Sequence, residues 1–143
     1  MFEKLYLLVK NNAEAAVINN PLIPEKNREA VINDASSSII EVLKGQVEGG
    51  KLKDLVNSFQ FTGVFNNPLI HNVERKFANK LNNYYQIAPA DAINIAKALI
   101  QPTMQELIKQ SKSEQNKEFA LSSLIQKVSG NHADALLRQL AVA

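Results

Sequence analysis

The residues that could support chemistry are few and scattered. His71 and His132 stand 61 residues apart, and neither lies in an HExxH or comparable ligand spacing, so each reads as a surface or capping residue. Glu25 and Glu29, at i,i+4, could begin a carboxylate metal site. A di-metal bundle adds Glu-x-x-His pairs, which this sequence lacks. Ser36-Ser37-Ser38 raises the question of a hydroxyl nucleophile, yet no His or Lys stands beside it in sequence to activate one. An exposed or closely packed helix face is the simpler reading. Gly49-Gly50 belongs to no G-x-G-x-x-G or phosphate-loop pattern. Arg75, Lys76, Lys80, Tyr84 and Tyr85 make a small basic-aromatic cluster of the kind that holds phosphates and stacks bases. With Glu74 in its middle, the cluster reads instead as the solvated side of a helix. No residue emerges as catalytic, cofactor-binding or metal-binding.

Composition narrows the classes further. The 143 residues include no cysteine, which excludes disulfides, thiolate chemistry and Cys-based zinc sites. The length suits one domain, 1–143, with a real core. The formal charge of +2 is uneven, with seven basic and eight acidic side chains in residues 1–63 against nine and six in 64–143. That surplus is too small for a nucleic-acid footprint, so no nucleic acid is expected as a partner. No apolar run reaches the eighteen residues of a membrane span. Lys10 cuts short the apolar run of the first ten residues, which also lacks a basic n-region. A signal peptide is therefore not expected, and the reading is cytoplasmic.

The element that organises the rest is residues 88–110. Pro89 suits the first helical position, and Asp91 faces the positive end of the helix. Ala92, Ile95, Ala96, Leu99, Thr103 and Leu107 recur at helical spacing, and Ile93, Ile100, Met104 and Ile108 widen the stripe towards half the circumference. A stripe this wide needs neighbours on several sides. Pro102, inside the run, predicts a bend or a division near Ile100.

The other elements are read in the same way. A helix is expected over 2–18, pinched at Asn11-Asn12, and Asn19 to Ile23 is a break. Pro24 should open a second helix as Pro89 opens the later one, with Val31, Ala35, Ile39 and Val42 inward and Gly45 either ending it or tolerated. Lys51 to Phe59 is a short helix after the Gly49-Gly50 turn, and His71 to Tyr85 is another, with Glu74, Arg75, Lys76 and Lys80 on its solvated side. Ser111 to Glu114 has the form of a capping box before a helix over 118–129, and a last helix follows Asn131. The whole predicts an all-α compact orthogonal bundle of six or seven helices around the central proline-kinked helix. Asn66-Asn67-Pro68-Leu69-Ile70 repeats Asn19-Asn20-Pro21-Leu22-Ile23, which is either recurring turn chemistry or the trace of a duplicated helix pair.

Several short motifs, in order along the chain, resemble the YidB-like family of small bacterial proteins. They include Phe2-Glu3-Lys4-Leu5, Ile23-Pro24, Ser36 to Ile40 followed by Leu43-Lys44-Gly45, and Gly50-Lys51-Leu52. Asn67-Pro68-Leu69, Pro89-Ala90-Asp91-Ala92-Ile93 and Leu121 to Ile125 complete the set. The family is richer in glycine around the mid-chain loop and the tail. The resemblance implies an all-helical fold without established enzyme activity, hence no catalytic residues and no cofactor to carry over.

The expected function is a small non-catalytic structural or protein-interaction domain, partnering itself or another protein. Its interaction patch would comprise Phe59, Phe61, Val64, Phe65 and Tyr84, if these are exposed rather than core. A module binding a small ligand in an interhelical cleft beside Phe61, Phe65 and Tyr84 is the alternative, and an enzyme comes third.

Overall fold

The computed structural model describes residues 2–60 and 66–112, together with 123, 124 and 126; the side chains of Phe2 and of 61–65 are not among them. Among the described residues there are five α-helices and no strand: α1 (Phe2–Asn11), α2 (Arg28–Glu48), α3 (Leu52–Gln60), α4 (Pro68–Tyr85) and α5 (Pro89–Ser111). A π-helical turn (Glu14–Ile18) and a 3-10 turn (Glu25–Asn27) lie between α1 and α2. The fold is an all-α bundle.

α5 is gripped as its wide stripe requires. Ala92, Ile95, Ala96, Leu99, Ile100, Thr103, Met104 and Leu107 are all buried. Its main partner is α4, and it also meets α1, α3 and the π-helical turn. The helix runs unbroken through Pro102, so it does not divide at Ile100. Proline there leaves the Ala98 carbonyl without its i+4 donor. One position on, the Thr103 hydroxyl donates to the Leu99 carbonyl at 2.7 Å, which keeps a fully buried hydroxyl satisfied.

Three expectations are corrected. The first helix ends at Asn11, where Asn12 turns its amide back to the Leu8 carbonyl at 2.8 Å, and the chain resumes as a wide π-helical turn. Pro24 does not open α2 directly. It precedes the 3-10 turn, and α2 starts at Arg28. α4 begins at Pro68 rather than His71, because Asn67 caps it. Gly45 lies inside α2, whose end falls at the glycine pair. A Cβ on Gly49 would come within 2.8 Å of the Gly45 carbonyl, and Gly50 holds φ +73°, so both positions favour glycine. The helices expected over 118–129 and after Asn131 lie outside the described residues, although Ser123, Leu124 and Gln126 are helical and Leu124 is buried.

Candidate functional site

The polar residues with most chemical potential meet along the seam between α2 and α4. Asp34, Ser37, Ser38 and Glu41 recur at helical spacing on α2. Lys76, Lys80 and Tyr84 recur every four residues on α4, with Tyr85 beside them. Packing of α2 on α4 brings the rows together. Lys80 Nζ donates to Ser37 Oγ at 3.0 Å and pairs with Glu41 at 3.2 Å, while Lys76 reaches the same carboxylate at 3.4 Å. The Tyr85 hydroxyl donates to Asp34 Oδ2. Two carboxylates and two ammonium groups therefore sum to no net charge along the seam.

This arrangement supplies what the sequence lacked, an amine beside a serine hydroxyl, but the chemistry does not follow. A lysine acting as base must leave its nitrogen free for the hydroxyl hydrogen, whereas Lys80 Nζ is engaged by Glu41 at 3.2 Å. Ser37 Oγ lies 3.1 Å from the Asp34 carbonyl and can donate its own hydrogen there. Ser38 likewise bonds the Asp34 carbonyl and Ser36 the Ile32 carbonyl, both from fully buried positions, so the serine run is a closely packed helix face. Tyr85 is pushed well above the ordinary phenol range, first by burial and then by its bond to Asp34 and that carboxylate's charge. The folded state thus favours the neutral phenol. Its contribution is fully present below the ordinary tyrosine value of about 10 and is lost as pH rises above it. The seam clasps two helices.

The basic-aromatic cluster is dispersed by the same contacts. Lys76 and Lys80 face Glu41, Tyr85 faces Asp34, and Arg75 reaches its own neighbour Asn72 at 2.6 Å. Arg75, Lys76 and Tyr84 are exposed, Tyr84 at 61% and edge-on to Tyr85 with ring centroids 6.3 Å apart.

Glu74 is a further correction. It belongs to the core at 1% exposure, not to the solvated side of α4. α4 is covered on two sides, by α2 and α5, so Ile70, Glu74, Ala78 and Leu81 form a second buried stripe next to Val73 and Phe77. The Glu74 carboxylate accepts from Gln101 Nε2 at 3.3 Å, and His71 Nδ1 lies 3.7 Å away. Lys80 is also mostly covered. A second apolar row at i, i+8 and i+11 from Ile70 was the available signal for Glu74, and opposite charges on two matching rows was the signal for the seam.

Of the expected interaction patch, Phe59 is 1% exposed and lies in the core, so it offers no surface. Tyr84 is exposed near the far end of α4, and Phe61, Val64 and Phe65 lie outside the described residues. A cleft of about 380 Å³ opens where α3 meets the start of α4, lined by Lys51, Asp54, Asn57, Ser58, Leu69 and Asn72 among others. Among the described residues no three His, Asp or Glu side chains gather as metal ligands, and no helix is long and apolar enough to cross a membrane. Glu25 sits in the 3-10 turn and Glu29 opens α2. No protein-family model, curated protein or solved structure matches the chain.

Proposed function

We propose that the chain is a non-catalytic structural or protein-interaction domain working in the cytoplasm. The observation that carries this reading is the fate of Lys80, an amine set beside the Ser37 hydroxyl and held by Glu41. Groups that could have done chemistry instead join α2 to α4, while Leu7, Leu22 and Tyr84 stand outward as large apolar side chains. An all-α bundle agrees with the fold that the resemblance to the YidB-like proteins implies, and kinship with them is proposed on the short sequence motifs alone.

Affinity capture of the tagged chain from its native cell, read by mass spectrometry, tests the proposal alongside sedimentation of the purified chain. Specific enrichment of a protein, or self-association, is the expected outcome. Ser37→Ala should leave that outcome unchanged. A monomer that captures no specific protein would overturn the interaction reading.

The cleft beside α3 favours a second reading, a small-ligand module, because its lining sets Lys51, Asp54, Asn57 and Asn72 around one cleft together with Pro68 and Leu69. Ligand-induced shifts of the Asn57 and Asn72 amide signals, in a screen of polar metabolites, would support it. No shift across the screen would remove it.

A further inference from the structure

We propose that the groove between α1 and α2 takes a partner segment that presents an apolar side chain next to a lysine or arginine, an inference that rests on the interaction reading above. The groove, about 380 Å³ and open to solvent, is lined by Glu3, Tyr6, Leu7, Glu29 and Asn33. Leu5, Leu8 and Val9 turn inward from α1, which leaves Leu7 on the opposite side of the helix at 51% exposure. A leucine so placed adds little to the core of its own fold, and covering it needs an apolar group from outside.

The chemistry of that group is set by charge. Among the described residues Glu3 and Glu29 have no ion pair, and both carboxylates border the same groove. Each lies in the first turn of its helix, where the dipole favours an acid. The dipole does not account for the exposed leucine and half-buried tyrosine set between them. The field also reaches the groove floor. Burial raises the Tyr6 phenol, and the Glu29 carboxylate raises it further. Phosphates, nucleic acid and anionic lipid surfaces are repelled by such a rim, whereas a lysine or arginine can lay its aliphatic stem on Leu7 and Tyr6 and its cation against the carboxylates. The chain as a whole carries +2, so a cationic segment held here is held by this groove and not by overall charge.

The test uses the full chain and two labelled amphipathic helical peptides of equal length and apolar content, one built from Leu and Lys and the other from Leu and Glu. Fluorescence anisotropy should show the Lys probe binding at least about tenfold tighter than the Glu probe, with the preference falling as salt is raised. Glu3→Gln combined with Glu29→Gln should weaken the Lys probe by about tenfold, and Leu7→Ala by severalfold. Glu48→Gln, an exposed acid at the other end of α2, should leave binding unchanged. Equal binding of the two probes overturns the inference, as does indifference to the paired glutamine changes. Self-association abolished by Leu7→Ala also overturns it, because the occupant would then be a second copy. Partners captured from cells and retained by the Leu7→Ala chain would sink the groove while leaving the interaction reading standing. A chain that captures nothing removes both.

Discussion

In one copy of the pentapeptide Asn-Asn-Pro-Leu-Ile the proline is the first residue of an eighteen-residue helix, and in the other it sits in a turn. Both copies begin with the same local bond. Asn20 Oδ1 accepts from the Leu22 amide at 2.9 Å, and Asn67 Oδ1 accepts from the Leu69 amide at 3.0 Å. They part at the next two residues. In the second copy the Ile70 amide also reaches Asn67 Oδ1, at 3.4 Å, and the His71 amide donates to the Asn67 carbonyl at 3.1 Å, which starts the helical ladder. In the first copy the Ile23 amide closes a tighter turn on the Asn20 carbonyl at 3.1 Å, and residue 24 is a proline with no N–H to give. Burial differs in the same sense. Leu69 is 2% exposed and Leu22 is 49%. The shared letters fix an Asx turn, while the following residue and the available core determine whether it becomes a helix.

The largest test of that contrast is the leucine pair. Leu69→Ala empties a core position and should cost about 2–5 kcal/mol. Leu22→Ala, with no core to vacate, should stay within about 0.5 kcal/mol. Urea denaturation of the two variants measures both. Similar losses would mean that the first turn is as deeply seated as the second.

Next in size is His71→Pro, which makes six successive residues of the two copies identical. It removes the 3.1 Å bond to the Asn67 carbonyl and pushes the buried Ile70 out of the helical region. The expected loss is about 3 kcal/mol or more, with helical circular dichroism reduced near the start of α4. A variant as stable as the parent would show that the ladder of α4 does not depend on this bond.

Asn67→Ala should follow. Asn67 is fully buried, and besides capping α4 it donates to the Ser58 carbonyl at 2.9 Å, tying α3 to α4. Losing the cap costs about 1 kcal/mol, and an orphaned buried carbonyl adds about 1 kcal/mol or more. Asn20→Ala gives up a 3.0 Å bond to the Ala16 carbonyl at a part-buried site that water can reach, so its loss should stay below about 1 kcal/mol. Thermal melts that ranked the two asparagines equally would break the contrast.

These differences explain what could be read ahead of the structure. The stripe of α5 was legible because one long periodic face, from Ala92 to Leu107, is a property of sequence alone. The short helix after Gly49-Gly50 was legible within one residue at each end, since a glycine pair and four spaced apolar residues bound it. The start of α4 was not. Its decisive bonds come from the Asn67 side chain, and the asparagine at the matching position of the first copy, Asn20, ties back to the Ala16 carbonyl instead. Pro89 and Pro24 show the same limit: the first sits at the start of α5 with the Ala92 amide bonded to Ala88, whereas the second leads only into a 3-10 turn. The clasp between Ser37 and Lys80 joins residues 43 apart, and no local pattern places them together. Glu74 was misplaced because one apolar line was drawn on α4 where packing by two neighbours requires two.

The smallest effect, and the one that separates permission from reward, is Pro24→His, which gives the first copy the six letters of the second. Residue 24 gains an N–H that could bond the Asn20 carbonyl, and Ile23 is released from the restriction that a following proline imposes. Against this, proline at φ −60° already suits its site, and losing it frees the unfolded chain, at a cost of about 0.4–1 kcal/mol. A helix starting at Pro21 would also have to take up Leu22, which has no apolar partner waiting, and disturb Ile23, which is buried. The expected result is a slightly less stable chain whose residues 21–24 keep their turn, read from amide chemical shifts. A new helical turn there would mean that the missing N–H by itself divides the two copies, and that burial of Leu69 follows from the helix instead of favouring it.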